Sequence, residues 1–573
     1  MSTAKAAAAF TQHGGATVGR WSSGAVKAIC VWPPRFLPCA RFMKFKGRTT
    51  LSHSIAFAVG TLAILTGVGF HLPEFIAARN THFQLCGLPM TKLMWCGMGL
   101  IVAGICATAY GLFPAKAREE GDGNEQYQLH LLDNARLGWA HWQLVAVLGI
   151  CLVVDIMKPA TIGFVIPGLR REYGISKEEA SLLAFFAMIG TTLGSILWGV
   201  LADRLGRRGA ILLAALMFIS TGICGTMPCF KWNLCMCLLM GLSAGGMLPI
   251  VFALLAEMVP ARHRGWLSVL VGGLGSSGGY LAASGAAAWL EPMFSWRILW
   301  LLNIPTGLLV ILLNRFIPES PRFLLHAGRE DEARHTLAKF NVELVRIPEA
   351  TRVNPAVVQA APAFKHLFGK PYSVLTLTLC FYGMTWGLVN WGFLTWLPTI
   401  LQEYLHMDGK IANRLLAHAA LFAVPGCLVV AWLYGFWSSK RTMVLFAAGT
   451  ALVLAGFSIF KAGAGYDQTL FTVFTVSLLI GLSGMISMLP PYSVELYPTK
   501  LRATGGGLVA SSSKAGGIVG PSAVAIVLAT FPGLTVPVLL LATPMLVAAG
   551  ILWLNGKETS GRRLEEIHEP PAG

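Results

Sequence analysis

Long uncharged apolar blocks recur along this chain of 573 residues and constrain its fold more than any other feature. Each block is about 20 residues long, the length that an α-helix needs to cross a hydrocarbon layer ~30 Å thick. Lipid offers no hydrogen-bond partners, so each block must satisfy its own backbone, which a helix does within one segment. Charged residues make up only 12% of the chain, against roughly 25% in soluble proteins. The sequence therefore predicts an all-α polytopic membrane protein.

Fourteen blocks are predicted to be transmembrane helices. The first two form an appended hairpin, and twelve more follow a polar linker. The hairpin blocks are 53–73 and 93–113, and the twelve that follow are 144–168, 180–202, 209–227, 234–256, 265–289, 297–317, 373–398, 415–437, 442–461, 469–490, 504–528 and 533–555.

The blocks and the gaps between them divide the chain into seven segments. Residues 1–50 contain no Asp or Glu, a composition typical of transit peptides and of solvated basic tails alike, and Met43 is an alternative start. The predicted segments are a basic, disordered tail at 1–50, the extra hairpin at 51–113, a cytoplasmic linker at 114–143, a first six-helix half at 144–317, a central cytoplasmic loop at 318–372, a second six-helix half at 373–555 and a cytoplasmic tail at 556–573.

Basic residues outnumber acidic ones by 44 to 27, which gives a formal charge of +17. They gather in alternate loops, as at Lys440 and Arg441, whereas the loops around Glu172 and Asp467 are poorer in positive charge. This is the positive-inside pattern and not a nucleic-acid footprint. It predicts a multi-pass protein with both termini in the cytoplasm, and the short loops fit a bacterial inner membrane.

A repeat divides the twelve blocks into two sets of six. The longest gap, 318–372, separates the sets, and similar short strings recur on both sides of it at nearly equal offsets. Offsets in register with the helix map indicate two homologous halves. The recurring pairs are Glu257 and Arg264 with Glu495 and Arg502, Pro318-Glu319-Ser320 with Lys557-Glu558-Thr559, and Gly199 with Gly435.

The loop between the second and third of the twelve blocks reads Gly199-Val-Leu-Ala-Asp203-Arg204-Leu-Gly206-Arg207-Arg208. It resembles the signature loop of the major facilitator superfamily, and the resemblance covers about residue 144 to the end. The glycines would allow close backbone approach. Asp203 would accept charge-assisted hydrogen bonds in a latch that exists in one conformation only. Ser439 stands where Asp203 would repeat, so the second latch is expected to be degenerate.

Two further strings follow the sixth and the twelfth blocks. Pro318-Glu319-Ser320-Pro321-Arg322 and Glu558-Thr-Ser-Gly561-Arg562 are similar to signatures of the sugar porter, synaptic-vesicle-protein-like and organic-ion branches. These strings are predicted to lie in the cytosol, so they bear on gating and not on the substrate. The predicted gating residues are Gly199, Asp203, Arg204, Gly206, Arg207, Arg208, Glu257, Arg264, Glu319, Arg322, Glu495, Arg502 and Glu558.

Charges inside the blocks are the best evidence for a substrate site, because an intramembrane charge costs about 2.5–3.5 kcal/mol on insertion scales. Asp155 and Lys158 lie three residues apart on one helix face, and Pro159 loosens the helix beside them. Asp155 is interpreted as a proton carrier or as a counter-charge to the substrate. The alternative is a static ion pair with Lys158 that only helps the halves to pack.

Lys514 is a single ammonium near the middle of the block 504–528. It would attract an anionic substrate, and a basic residue in this helix is frequent in the organic-acid carriers that the chain resembles. The alternative is that its side chain snorkels to an interface, which a mid-helix position makes harder.

The block 373–398 places Tyr382, Trp386 and Asn390 at successive four-residue steps. This face mixes aromatic surface with an amide and is suited to a small ring or a carboxylate. Asn303, in the block 297–317, is a similar candidate. An aromatic belt or plain helix packing explains the same residues without a substrate.

Clusters of glycines and cysteines give weaker hypotheses. Gly272, Gly273, Gly275, Gly278 and Gly279 allow helices to approach closely and predict a sliding interface between the halves. The cysteines near the predicted outer loop are better explained by packing than by an outer disulfide or a soft-metal contact. They are Cys229, Cys235 and Cys237.

Together these features predict a secondary transporter that moves a small organic anion by alternating access, as a uniporter or a proton-coupled symporter. The expected partners are a small-molecule substrate, a coupling proton and the bilayer. A neutral sugar or polyol porter and a non-transporting sensor or scaffold remain alternatives. The chain has no P-loop, zinc spacing or nucleophile elbow, so no enzyme, cofactor or metal is expected.

Overall fold

The computed structural model describes residues 51–113, 135–344, 366–369, 371–460, 467–497, 499–531 and 533–560. Within these ranges the chain is helical, with short connections and no strand. The predicted tail at 1–50, most of the linker, part of the central loop and the end of the C-terminal tail lie outside the described residues. The side chain of Arg502, one of the predicted gating residues, also lies outside them.

Fourteen long helices form the described fold, and each coincides with a predicted block. Twelve of them are long and apolar enough to cross a membrane by length and composition. The helices are α1 (Leu51–Gly69), α2 (Lys92–Leu112), α3 (Trp139–Tyr173), α4 (Lys177–Leu205), α5 (Arg207–Thr226), α6 (Phe230–Met258), α7 (Ala261–Phe294), α8 (Ile298–Phe316), α9 (373–403), α10 (Gly409–Phe436), α11 (Ser439–Ile459), α12 (Gln468–Leu496), α13 (Thr499–Thr530) and α14 (Thr535–Asn555).

Several helices run beyond the apolar blocks that predicted them. Helix α3, for example, extends to Tyr173 where the block ended at 168. The reason is that hydropathy detects only the lipid-embedded part, while capping fixes the actual ends. Gly174 ends α3 in the left-handed conformation at φ 64°, and Ser176 and Glu179 form a capping box that begins α4.

Helices α3–α8 and α9–α14 form two six-helix halves. Helix α7 of the first half packs along α10 and α12 of the second, and α4 packs against α13. The last part of α9 packs against α3. The interface between the halves is therefore built from three helices of the first half and four of the second, and it surrounds the centre of the bundle.

The glycines of α7 were predicted to face the other half, and only some of them do. Cβ atoms at Gly272 and Gly273 would contact Ser487 and Cys427 of the second half. Those at Gly275, Gly278 and Gly279 would contact α3 of the first half. The sliding-interface interpretation is thus wrong for three of the five, because a run of closely spaced glycines turns around the helix and faces more than one neighbour.

The hairpin α1–α2 packs against α5 of the first half. Its two helices approach at Gly60 and Gly104, where a Cβ on either glycine would lie 2.7 Å from the other residue's carbonyl oxygen. The loop between them is bonded to Glu172, whose carboxylate accepts from the backbone N–H groups of Leu85 at 2.9 Å and Cys86 at 3.0 Å. The hairpin is therefore attached to the first half through specific hydrogen bonds.

The bundle has two ends, which are named here by their residues. The motif end carries the loop between α4 and α5 around Gly206. The opposite end carries the last turn of α3 at Arg170 and the last turn of α9 at Glu403.

Candidate functional site

A cavity of about 140 Å³ lies between the two halves at the middle of the bundle. Both halves contribute charged, polar and aromatic side chains to its wall. From the first half come Asp155, Pro159, Thr191, Phe252, Ser276 and Tyr280, and from the second come Trp386, Asn390, Trp391, Ser483, Ser487 and Lys514.

Asp155 lines this cavity, but its neighbour Lys158 does not. Both side chains are buried, at 5% and 3% exposure, and the Lys158 ammonium lies 3.8 Å from the Asp155 carboxylate. The ammonium also lies over the ring of Phe218, 2.7 Å from its centroid. Lys158 therefore packs within the first half, while Asp155 Oδ1 accepts no hydrogen bond in the described part of the chain. The carboxylate keeps capacity for a further donor.

Lys514 brings a positive charge to the cavity from the second half. Its ammonium lies 3.5 Å from the backbone carbonyl oxygen of Thr191 in α4 and interacts electrostatically with Asp155. The side chain is half-buried and lines the cavity instead of reaching an interface. A negative and a positive group thus face the same space from opposite halves.

Trp386 and Asn390 also line the cavity, but Tyr382 does not. The indole N–H of Trp386 donates to the carbonyl of Leu482 at 2.8 Å, which fixes the ring. Tyr382 is fully buried and donates to the carbonyl of Met443 at 3.4 Å. Eight residues of helix span about 12 Å, so Tyr382 and Asn390 lie at different positions along the helix axis. Steps of four residues also rotate around that axis, so the two side chains point in different directions.

Asn303 lies away from the cavity, within the first half. It is buried, and its amide donates to the hydroxyl of Thr221 at 3.4 Å. The structure therefore brings together Asp155, Lys514, Trp386 and Asn390, and it separates Lys158, Tyr382 and Asn303 from them.

Sequence reasoning missed Tyr280 of α7. Its side chain is 5% exposed and lines the cavity, and its ring packs against Phe164 at 5.5 Å. Its hydroxyl has no hydrogen-bond partner among the described residues. A buried hydroxyl is rarely left unpaired, so this group is available to a bound molecule. The sequence signal for Tyr280 was a single aromatic residue inside a glycine-rich helix, and that helix was interpreted through its glycines alone.

At the motif end the predicted latch is a network inside the first half. Arg207 donates to Asp203 at 2.6 Å and to Glu257 at 3.3 Å. Glu319 accepts from the backbone N–H groups of Arg207 at 2.7 Å and Arg208 at 3.4 Å, an arrangement suited to a helix N-terminus. Burial raises the pKa of Glu319 above its ordinary value.

Three predicted gating residues take no recognisable part in this network within the described part of the chain: Gly199, Arg204 and Arg322. A Cβ at Gly199 would meet no atom within 4 Å, so close approach does not explain it. Gly206 does need to be glycine, since its φ is 85° and Glu319 packs against it. Arg264 donates to the carbonyl of Val259 at 3.2 Å, and the structure gives no specific role for Arg204 or Arg322.

The second half has an equivalent network that uses hydroxyl groups. Glu558 accepts from the Ser438 hydroxyl and from the Ser439 backbone N–H at 2.9 Å, and Glu495 accepts from Tyr434 at 3.1 Å. Burial alone would raise the pKa of Glu558, but the hydrogen bonds from Ser438 and Ser439 outweigh it and hold the pKa below its ordinary value. Glu558 thus accepts from the helix start at Ser439 as Glu319 accepts from the helix start at Arg207, with further bonds from the two serine hydroxyls.

We expect Glu558→Gln to lower the free energy of unfolding by about 1–3 kcal/mol at pH 7, because charge-assisted hydrogen bonds are lost. A carboxyl whose pKa is lowered on folding stabilises above its ordinary pKa of 4.5 and loses that effect as the pH falls through the folded value. Thermal unfolding in detergent between pH 7 and pH 3.5 measures this. Glu319→Gln is the matched control and should cost less, because burial already favours the neutral form there. An equal or larger loss in the control would contradict the expectation.

At the opposite end, polar contacts join the two halves directly. Arg170 is paired with Glu403, and Lys177 lies 3.1 Å from the same carboxylate. Arg171 donates to Gln402 at 2.7 Å. Sequence reasoning missed these residues, since charges at helix ends are usually solvated and nothing in one sequence pairs them across halves.

Two further contacts lie on the same side of the cavity. Asn413 donates to Glu291 at 2.7 Å, and the hydroxyls of Ser181 and Ser522 lie 3.1 Å apart. With the pairs above, they join the two halves at the opposite end. This set, from Arg170 to Ser522, is called the opposite-end gate below.

Sequence comparison agrees with this architecture. The sequence profile of the Major Facilitator Superfamily matches residues 148–521. The chain belongs to the major facilitator superfamily. The matched region begins after the hairpin, and the predicted family, its fold class and a membrane transporter rather than an enzyme are confirmed.

Relatives within this superfamily transport aromatic acids. The chain is 26% identical to a niacin transporter of Acinetobacter baylyi over 76% of this chain and 98% of the relative. It is 31% identical to a 4-hydroxybenzoate transporter of Pseudomonas aeruginosa (66% and 84%) and 28% identical to a gallate transporter of Pseudomonas putida (74% and 94%). Among solved structures, the xylose transporter of E. coli superimposes with a TM-score of 0.59 at 16% identity, over 74% of this chain and all of that one. This structural similarity shows the fold alone.

Proposed function

We propose that this transporter carries a small aromatic monocarboxylate together with a proton. The observation that carries the proposal is the ammonium of Lys514 in a cavity lined by Trp386, Trp391 and Phe252. A carboxylate needs a cation, and an aromatic ring is held by aromatic walls. The relatives named for niacin, 4-hydroxybenzoate and gallate transport support the same class of substrate.

Asp155 is the proposed proton carrier. In the empty cavity its carboxylate balances the charge of Lys514, with which it interacts. When a substrate carboxylate binds Lys514, Asp155 takes up a proton, since Lys514 would otherwise face two carboxylates in a water-poor site. The charge of the cavity is then the same before and after loading. One anion and one proton would cross together without net charge movement.

The direction of the chain in the membrane is part of this proposal. The motif end carries Arg204, Arg207 and Arg208, so the positive-inside rule places it in the cytoplasm. The opposite end then faces outward, and the opposite-end gate is closed in this conformation. Alternating access would break that gate and open the cavity to the outer side. A bacterial inner membrane is the proposed location.

Uptake into proteoliposomes under an inward proton gradient tests the proposal. The panel should contain benzoate, 4-hydroxybenzoate, nicotinate and gallate, with xylose and sorbitol as neutral comparators. Gradient-driven uptake of an aromatic acid is expected. Uptake of the sugars alone would overturn the substrate class, and no flux from folded protein would favour the sensor or scaffold alternative.

We expect Tyr280→Phe to weaken the transport of acids that carry a second polar group. The unpaired hydroxyl of Tyr280 faces the cavity and can bond the ring hydroxyl of 4-hydroxybenzoate. A neutral hydrogen bond contributes about 0.5–1.5 kcal/mol, so KM for 4-hydroxybenzoate should rise roughly 2- to 10-fold and KM for benzoate should not change.

Tyr382→Phe is the matched control for this substitution, because it removes a hydroxyl that lies outside the cavity. It should leave both KM values unchanged. If Tyr280→Phe affected benzoate and 4-hydroxybenzoate equally, the hydroxyl would not contact the substrate.

A further inference from the structure

The loop of the N-terminal hairpin is held firmly at the opposite end of the first half. Glu172 accepts from the N–H groups of Leu85 and Cys86, and the same carboxylate accepts from Arg297 at 2.7 Å. Arg297 is fully buried and also donates to the carbonyl of Met227 at 2.8 Å. Arg297 holds the carboxylate of Glu172 in place, and that carboxylate in turn holds the backbone of the hairpin loop.

A second contact brings two cysteines together. The N–H of Gly87 donates to the carbonyl of Pro228 at 3.1 Å, across the hairpin loop and the α5–α6 loop. Cys86 and Cys229 are the residues directly beside this hydrogen bond, and both thiols are free and exposed. The hydrogen bond places the two cysteines at neighbouring positions of two segments in backbone contact, and a disulfide requires Cα atoms ~4.4–6.8 Å apart.

Other contacts hold the same two segments in place. Cys229 has an extended backbone immediately before α6, and its carbonyl accepts from the amide of Asn233 at 3.2 Å. The rings of Trp95 in α2 and Trp232 in α6 lie edge to face at 5.9 Å. The Cys86 and Cys229 thiols are also close enough to interact electrostatically. These contacts hold the two cysteines on neighbouring segments, as a disulfide between them requires.

The sequence had grouped Cys229 with Cys235 and Cys237, and the structure separates them. Cys237 is buried, and its thiol is hydrogen bonded to Cys224 in the core of the first half. Cys235 is exposed on α6. The hairpin loop, more than a hundred residues earlier in the chain, supplies the neighbour that the local spacing could not show.

We propose that Cys86 and Cys229 form a disulfide that joins the N-terminal hairpin covalently to the twelve helices α3–α14, called the transport body below. The proposal rests on the orientation given above, which places both thiols in the outer, oxidising compartment. Two thiols lose two protons and two electrons, and one S–S bond forms. The electrons pass by thiol–disulfide exchange to the disulfide of an extracytoplasmic oxidoreductase, or to oxidised glutathione in vitro, which leaves as two thiols.

The test uses the full chain with a site-specific protease site inserted in the segment 114–134. Membranes are prepared with N-ethylmaleimide to block free thiols, cleaved, and run on a gel with and without reductant. The hairpin fragment should stay with the transport body until reductant is added. It should separate without reductant in Cys86→Ser and in Cys229→Ser. Cys96→Ser, which removes an exposed thiol on the same hairpin, should behave like the unmodified chain.

Peptide mapping and labelling of the uncleaved protein complete the test. Digestion without reductant should give one cross-linked peptide that contains Cys86 and Cys229. If both thiols react with a membrane-impermeant maleimide on intact cells, even after treatment with oxidised glutathione, the disulfide is excluded while the orientation stands. If they react only after permeabilisation, the orientation fails and the disulfide proposal fails with it, whether or not aromatic acids are transported.

Discussion

Lys514→Ala is expected to reduce the uptake of aromatic carboxylates by about two orders of magnitude. Removal of the ammonium deletes the charge-assisted bond to the substrate and leaves Asp155 without its partner across the cavity, a loss of about 2–3 kcal/mol or more. Lys514→Arg should restore part of the activity, because it keeps the charge on a bulkier group. Initial rates of uptake into proteoliposomes measure both effects.

Lys440→Ala is the matched control, since Lys440 lies in the first turn of α11 and does not line the cavity; its ammonium is 5.8 Å from the ring centroid of Trp553. It should leave uptake unchanged. Carboxylate uptake that survived Lys514→Ala would remove the main support for an anionic substrate. Sugar uptake that was indifferent to Lys514 would favour a neutral substrate instead.

Asp155→Asn is expected to abolish accumulation driven by a proton gradient while exchange of substrate across the membrane continues. An electroneutral symporter with one proton per anion accumulates its substrate about tenfold per pH unit of gradient, because one pH unit corresponds to ~1.4 kcal/mol. The amide keeps the shape of the side chain but cannot bind and release the coupling proton. The accumulation ratio should therefore fall to about one.

Parallel measurements of net uptake and of exchange distinguish this result from misfolding, because a misfolded protein would lose both activities. Asp331→Asn, at an exposed position of the short helix Glu330–Lys339, is the control and should keep full accumulation. If Asp155→Asn still concentrated its substrate against a gradient, the proton would have to use another group, and Glu291 in the opposite-end gate would be the next to test.

The sequence predicted the fold well because the main constraint on it acts within each segment of the chain and not between segments. Lipid requires each apolar block to satisfy its own backbone, so block length and spacing were enough to place fourteen helices. The internal repeat added the division into halves. Helix ends were less accurate, since caps such as Ser176 with Glu179 lie outside the apolar blocks.

The candidate site was predicted only in part. Asp155 and Lys514 were found because a charge inside an apolar block is visible in the sequence. Lys158 has the same signal, yet its ammonium lies over Phe218 and away from the cavity. Which way a buried charge points depends on neighbouring helices, and one sequence does not specify them.

Residues without a charge were harder still. Tyr382 shared a helical spacing with Trp386 and Asn390 but lies too far along α9, and Tyr280 looked like ordinary packing until its hydroxyl was found unpaired in the cavity. The pairing of Arg170 with Glu403 joins residues more than two hundred positions apart. Contacts of this kind arise only when the two halves are assembled.

Three consecutive residues in the last turn of α3 connect the first half to the second half and to the N-terminal hairpin. Arg170 and Arg171 bond to the second half, while Glu172 bonds to the hairpin loop. In the alternating access proposed here, the first two bonds must break in each cycle and the third need not. The hairpin would then travel with the first half, so the motion becomes that of six helices against eight. The body of six helices would then turn further than the body of eight. The two halves would therefore move by different amounts, although the sequence repeat alone suggests equal movements.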